Sequence, residues 1–353
     1  MTALRIEKIL APAANDRTGE FQPLPLSLLA GGEEVPFEVY VKVKAKAHPE
    51  ALFLQCCSRG EVFPGHWQSQ MQQLRLSRIY VRQAPGEEIL PYLLHNLKGG
   101  LTRKNWGNRK KAVLICEVAL FWLRHLFTLE VEQISEQMDA GLNLIECLGE
   151  IIKRENNPVS LALGLWRQGD LYAHGLHNCL LGLAFARFLG WKEKDARAFG
   201  LTALVHDVGM TMVPKSIREK ATPLTAAERR LIGNHPHAGF AILRNSPLFR
   251  WEALLTVLQH HENGDGSGYP EKLQKRQIHP WARILRILDS FEAMSSKRRW
   301  RAARSPKEAL WTMRRDWERN QVYDPAYLSL FIKFLAGGRV YGVRPGIIRE
   351  KSA

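Results

Sequence analysis

The sequence predicts an α+β chain in which a small β-rich module precedes an all-helical bundle. Two observations carry that division. Residues 33–44 alternate apolar and polar side chains with the period of a strand, and from about residue 111 the apolar positions recur with the period of a helix. Length is the third: 353 residues are comfortable for two domains.

Within the first element Val35, Phe37, Val39, Val41 and Val43 face one way, and Glu38, Tyr40, Lys42 and Lys44 the other. Residues 78–82 repeat the alternation with Ile79 and Val81. Gly31-Gly32, Gly60, Pro64-Gly65 and Pro85-Gly86 punctuate the region as turns. Residues 1–100 are therefore expected to form the β-rich module. Residues 101–155 are expected to be a linker with connecting helices, opening on Gly99-Gly100 and the basic segment 103–111. Residues 156–353 are expected to form the functional domain. Helical patterns run through 111–127, 131–153 and 176–189 and dominate to the end, broken by a loop at 264–270. There is no internal repeat and no low-complexity tract.

Hydrophobic residues make up 45% of the chain, enough to fill ordinary cores, which excludes wholesale disorder. The first residues, MTALRIEKIL, lack the long apolar stretch of a secretory signal. The most apolar run, residues 112–123, contains Glu117 and falls short of the roughly 20 residues a membrane helix needs. It reads as a buried helix, and a cytoplasmic location is expected. Five cysteines without CxxC spacing do not make a disulfide framework, and Cys116, Cys147 and Cys179 read as small core residues. The net charge of +15 is concentrated late, with 19 Lys or Arg against 8 Asp or Glu in residues 270–353. A basic surface attracts phosphates, nucleic acid or anionic lipid. Nucleic acid rests on charge alone and is not expected as a partner. Nothing in the sequence points to an oligomeric state.

The chemistry begins at His206-Asp207, which follows the apolar run of LTALV. Burying an imidazole and a carboxylate together is costly unless something compensates, and a cation can. Asp170 and His174 stand at i and i+4, on one face of a helix. His235 follows in IGNHPHAG, His260-His261 end the apolar run WEALLTVLQ, and Asp289 lies in ARILRILDSFEA among apolar neighbours. Any one of these is better read as a core or capping group. Eight of them in five segments, each at the end or inner face of a helix, point to a metal centre. Mixed imidazole and carboxylate donors suit iron, manganese or zinc better than calcium or magnesium. Eight side chains exceed the needs of one ion, so two or three divalent transition metals are expected. Two-metal sites generate a hydroxide nucleophile and clamp the attacking and leaving oxygens of phosphoryl transfer. His177, His237 and His279 read as surface or supporting histidines.

From about Asp170 to Phe331 the chain resembles the HD-GYP family of cyclic di-GMP phosphodiesterases, within the HD superfamily of metal phosphohydrolases. The resemblance runs through His206-Asp207, VPKSI, LTAAERRLIGNHPHAGFAIL, HHENGDGSGYP, RILRILDSFEAMSSKRRWR and YDPAYLSLF. The most specific string is His260-His261-Glu262 followed by GDGSGYP, a loop that ordinary HD hydrolases lack. The resemblance implies an all-α HD-domain bundle. It implies metal ligands at His174, His206, Asp207, His235, His260, His261 and Asp289, with Asp207 bridging two ions and His206 and Asp207 as the catalytic pair. Asp170, four residues before the first histidine, is similar to the variant that holds three metals, with iron or manganese favoured over zinc. Arg298 and Arg301 match basic positions that hold substrate phosphates. Gly268, Tyr269 and Pro270 form the signature loop beside the site.

Three positions depart from the family pattern, the mildest being Ala173, where the usual Tyr-Thr pair before the first histidine reads Tyr172-Ala173. Met210 stands where a phosphate-contacting lysine is usual, and a thioether cannot replace a cation. Trp300 stands where a tyrosine is common. The first 100 residues resemble the small β-rich modules, some PilZ-like, that precede this domain in related chains. The PilZ pattern of paired arginines and an Asp/Asn-x-Ser-x-x-Gly run is not evident, and regulation or contact with a protein partner is the expected role. The expected reaction is hydrolysis of cyclic di-GMP to the linear dinucleotide or to GMP. Cleavage of another cyclic dinucleotide, or a receptor that binds one without cleaving it, are the alternatives, and Met210 favours the receptor.

Overall fold

The computed structural model describes residues 21–43, 52–82, 86–165, 170–298 and 301–337. The chain falls into two units, Met1–His125 and Leu126–Ala353.

Strand-forming residues of the first unit build one antiparallel sheet from β1 (Phe21–Pro25), β2 (Val39–Val43), β3 (Leu52–Cys57) and β4 (Arg78–Arg82), in the order β1-β4-β2-β3. The two prolines of β1 are tolerated because β1 is an edge strand, where missing ladder donors do little harm. Val39, Val41, Ile79 and Val81 are buried as their alternation predicts. Tyr40, expected on a polar face, is 2% exposed. The reason is that both faces of the sheet are covered: Phe21, Tyr40 and Phe53 pack into a second cluster, with Phe21 stacked on Phe53 at 4.2 Å. Of the alternating segment 33–44, only Val39–Val43 is strand; Val35 and Phe37 are buried in irregular chain, and Lys44 lies outside the described residues.

Three helices complete the described part of this unit: α1 (Gly65–Gln73), α2 (Gly86–Thr102) and α3 (Asn108–Leu126). Gly99 and Gly100 fall within α2 rather than in a loop, and a side chain at Gly100 would strike Leu114 at 2.8 Å. The apolar run 112–123 is the buried stretch of α3, and its Glu117 is paired with Arg78 at 2.8 Å. Burial pushes the Cys56 thiol up to about 12 and the Cys57 thiol up to about 11, so both stay protonated and unreactive at neutral pH.

The second unit is helical throughout its described residues: α4 (Val131–Ile134), α5 (Met138–Arg154), α6 (Pro158–Gly164), α7 (Leu171–Phe188), α8 (Glu193–Val205), α9 (Lys215–Arg218), α10 (Ala226–Gly233), α11 (His235–Leu243), α12 (Trp251–Gln259), α13 (Pro280–Ser295), α14 (Pro306–Asn320) and α15 (Pro325–Leu335). The single pattern read over 131–153 is divided by a 3-10 turn at Ser135–Gln137, although the buried positions keep helical spacing across it. Helix α7 is buried on every face from Ala173 to Ala186, which makes it the central helix. Phe185 on α7, Phe291 on α13 and Phe331 on α15 interlock, with Phe331 5.5 Å from Phe185 and 5.2 Å from Phe291. Truncating one such ring typically costs about 3–5 kcal/mol, so this wedge fixes α13 against α7, the two helices that carry His174 and Asp289. Cys179 in α7 is fully buried, whereas Cys147 in α5 is half-buried. No described helix is long and apolar enough to cross a membrane.

Candidate metal centre

The centre is built where buried helices end. Helix α8 is buried from Phe199 to Val205, and its C-cap is His206. Asp207 then opens the turn Val208–Met212, which lies against α11. A side chain at Gly209 would meet the His235 carbonyl oxygen at 2.0 Å, so only glycine lets this turn approach and bring Asp207 to His235. Helix α12 ends on His260, its C-cap, and delivers His260 and His261 to the same place.

Three histidines share one local geometry. His206 Nδ1 donates to the Ala203 carbonyl at 2.8 Å, His235 Nδ1 to Ile232 at 2.7 Å, and His260 Nδ1 to Val257 at 2.7 Å. A carbonyl oxygen only accepts, so each Nδ1 carries a proton and each Nε2 faces inward. Asp207 lies between them. Its Oδ1 is 3.1 Å from His235 Nε2 and 3.5 Å from His260 Nε2, while its Oδ2 is 3.5 Å from His206 Nε2 and 3.7 Å from His174 Nε2. Two groups of ligand-type atoms result, Asp207 with His235, His260 and His261, and His174 with His206 and Asp207. Within each group the atoms lie within 4.8 Å of one another, and Asp207 is common to both.

Helices α7 and α13 supply the remaining members. His174 Nε2 is 2.9 Å from Asp289 Oδ1, and its Nδ1 bonds to Glu292. Glu292 also accepts from His177 Nδ1 at 2.9 Å, Ser296 Oγ at 2.5 Å and Arg298 Nη2 at 2.8 Å. Arg286 flanks Asp289 at 3.8 Å and is itself held by Asn263 at 3.0 Å. His177 is thus a buried supporting histidine. His237 is an exposed partner of Glu271, and His279 caps α13.

The electrostatics call for a cation. Burial pushes the His206 imidazole down to about 4; Asp207 opposes this, and His260 and His174 add to it. His206 Nε2 is therefore unprotonated at neutral pH, buried and without a hydrogen-bond partner among the described residues. His235 Nε2 and His260 Nε2 face each other at 3.2 Å, each with its Nδ1 already bonded to a backbone carbonyl. Burial also drives His261 well below the usual imidazole range. Burial alone would raise the Asp207 and Asp289 carboxyls, yet the surrounding imidazoles hold both well below the carboxylate range. Imidazole nitrogens and ionised carboxylates converging in a buried site form the donor set of a divalent transition metal, so these residues fit one. Without an ion, burial would lower His174 and His235, but the neighbouring carboxylates hold both above the usual imidazole range.

A cavity of about 550 Å³ opens onto this cluster, bordered by Asp170, His174, Asp207, His235, His261, Met210, Tyr269, Arg298 and Arg301 among others. That is a normal size for a small-molecule site, roughly 300–1,000 Å³. Asp170 borders the cavity without entering either ligand group; its Oδ1 caps α7 by accepting from Ala173 N at 2.8 Å. Arg298 and Arg301 are clipped side by side through mutual backbone bonds of 2.9 and 3.2 Å. The Arg298 guanidinium is engaged by Glu292, and Arg301 donates to the Ala293 carbonyl. Trp300 lies outside the described residues.

The signature loop is held from beneath. Glu262, 1% exposed, accepts from the backbone N–H of Glu271 at 2.6 Å and of Leu273 at 2.9 Å. A side chain at Gly268 would lie 2.3 Å from Asn263 N and 2.5 Å from Glu262 Cα, so the chain folds back only with glycine there. The Tyr269 ring stacks on His261 at 4.7 Å, and the Tyr269–Pro270 peptide is cis. Glu292 was not singled out in the sequence, and Glu262 figured there only as part of the His260-His261-Glu262 string, with no role of its own. Glu292 had a signal: it lies three residues after Asp289 on one helix, hence on the same face.

Comparison with known proteins agrees with this geometry. The HD domain family matches residues 177–327. The chain is 31% identical over 188 residues to Cyclic di-GMP phosphodiesterase PA4108 of Pseudomonas aeruginosa, a match covering 53% of this chain and 45% of that protein. It is 30% identical over 167 residues to 3′3′-cGAMP-specific phosphodiesterase 2 of Vibrio cholerae, covering 47% of this chain and 31% of that protein. The chain thus spans less than half the length of these curated relatives. Its fold matches Bd1817, a HDG"Y"P protein from Bdellovibrio bacteriovorus, with a TM-score of 0.60 and 18% identity over 90% of this chain and all of that one. The mostly helical chain with its small antiparallel sheet therefore carries an HD domain, resembles cyclic dinucleotide phosphodiesterases in sequence and resembles an HDG"Y"P protein in fold.

Proposed function

We propose that this chain is a metal-dependent phosphodiesterase that opens cyclic di-GMP, giving the linear dinucleotide or GMP. The observation that carries the reading is Asp207, a carboxylate set between two groups of inward-facing imidazoles on the wall of a ligand-sized cavity. Two divalent ions, with iron or manganese favoured and zinc next, would be held by His174, His206, Asp207, His235, His260, His261 and Asp289. A third would recruit Asp170. Bound there, such ions polarise a phosphoryl oxygen and lower the pKa of water towards neutrality. The chain's own residues do the rest. Asp207 and His206 form the catalytic pair at the centre. Arg298 and Arg301 draw the substrate phosphates to the cavity mouth, and Gly268, Tyr269 and Pro270 shape the wall that the bound nucleotide meets. Residues 156–353 act as the catalytic domain, and the N-terminal module, through its sheet, as a regulatory or partner-contact unit in the cytoplasm.

A second reading, a receptor that binds a cyclic dinucleotide without cleaving it, is favoured by Met210, which borders the cavity where a cation would serve hydrolysis. A relative named for 3′3′-cGAMP also makes a mixed cyclic dinucleotide the next substrate to test. Incubating the metal-loaded chain with cyclic di-GMP and 3′3′-cGAMP, and resolving products by chromatography, decides between these readings. Linear product or GMP from cyclic di-GMP supports the proposal. Tight binding with no product from either nucleotide refutes it.

A further inference from the structure

The cavity lining includes a basic residue that the ligand cluster does not use. Arg218 ends the short helix α9 and borders the same cavity as Met210, Leu171 and Tyr172. Its guanidinium lies 5.5 Å from the centre of the Phe127 ring, and Phe127 in turn packs edge-on against Tyr172 at 5.3 Å. A guanidinium on an aromatic face is held in place without giving up its hydrogen-bonding edge. Its Nε is buried without a hydrogen-bond partner among the described residues. Buried donors are normally satisfied, so an orphan on a cavity wall marks a place where a ligand atom accepts.

The other two cavity arginines are already engaged by protein groups in part: Arg298 pairs with Glu292, and Arg301 donates to a backbone carbonyl while its Nε, like that of Arg218, has no partner among the described residues. A cyclic dinucleotide carries two phosphodiester charges, and Arg218 adds to Arg298 and Arg301 a third cation on the lining of this cavity. We propose that Arg218 is a substrate-binding residue that holds a phosphodiester of the cyclic dinucleotide, supplying from α9 the positive charge that position 210 lacks. This rests on the cyclic dinucleotide reading above. Arg218 acts on binding, not on the metal ligands, and it makes the Met210 departure compatible with turnover.

The test uses the full metal-loaded chain as wild type, Arg218→Ala, Arg218→Lys and the double variant Arg218→Ala/Met210→Lys. Three quantities are read: affinity for a slowly hydrolysed phosphorothioate analogue of cyclic di-GMP, KM and kcat on cyclic di-GMP, and metal content per chain. Loss of a charge-assisted contact predicts binding weaker by about tenfold to a hundredfold in Arg218→Ala, with KM rising in parallel. Metal content and kcat stay close to wild type. Arg218→Lys keeps the charge and falls in between, and Met210→Lys in the Arg218→Ala background restores most of the affinity. A merely structural arginine would not be rescued from position 210. Wild-type affinity and KM in Arg218→Ala overturn the inference while leaving the phosphodiesterase reading intact. Wild-type binding without turnover overturns the enzymatic reading alone, since the binding arm still reads Arg218. A wild-type chain that does not bind the analogue overturns both.

Discussion

Replacing Glu292 by glutamine perturbs the centre without touching a metal-facing atom. Glu292 is fully buried and receives His174, His177, Ser296 and Arg298. Burial would raise its carboxyl, but those imidazoles and the guanidinium hold it well below the usual range, so it is a carboxylate at neutral pH. Glutamine keeps the shape, loses the charge, and turns an NH2 group towards donors. Losing one charged hydrogen bond with its donor left buried costs about 1.5–3 kcal/mol. For a unit of this size each kcal/mol moves Tm by about 2–4 °C, so a fall of roughly 3–12 °C is expected in the metal-free protein. Because Glu292 orients His174, metal affinity should fall by about tenfold to a hundredfold, the usual effect of removing a group behind a ligating histidine. Differential scanning fluorimetry with and without metal, and competition for metal against a chelator, read the two effects. Glu292→Asp should recover part of the affinity. Wild-type metal affinity and Tm in Glu292→Gln would refute the role given to this residue.

Two further outcomes follow from the same geometry. Gly268→Ala forces a Cβ to within 2.3 Å of Asn263 N, so the signature loop must shift; a loss of turnover of about a hundredfold or more is expected with metal content retained, as misplacement by an ångström near chemistry costs that much. Glu262→Gln removes the carboxylate that anchors the loop through Glu271 and Leu273; KM for the cyclic dinucleotide should rise at least severalfold while metal content stays constant, and an unchanged KM contradicts the anchoring role.

Much of the site was legible because its residues interrupt apolar helical patterns. His206, His260 and His261 stand just where runs of buried residues end, and a titratable pair at such a place needs a reason. The two glutamates were not legible in the same way. Glu292 and Glu262 act through other side chains or backbone N–H groups; the i+3 spacing of Glu292 from Asp289 and the place of Glu262 beside His261 mark their positions, but only packing shows what each one holds. The sheet was read in part. Arg78–Arg82 matches its alternation residue for residue, whereas β1 carries two prolines and β3 runs apolar residues together, so neither has a clean period of two. Tyr40 was misplaced for a related reason, since alternation assigns one wet face and this sheet has none at that position. The cation at Arg218 was hidden because a lysine was sought at position 210 along the chain, while the cavity wall is assembled from several elements.

The most direct test is metal content by mass spectrometry on freshly purified wild-type chain and on Asp207→Ala, with the product assay run on the same samples. Asp207 is common to both ligand groups, so the account predicts at least two transition-metal ions per wild-type chain and linear product from cyclic di-GMP, with metal content and turnover both collapsing in Asp207→Ala. Full metal occupancy and wild-type turnover in that variant would contradict it.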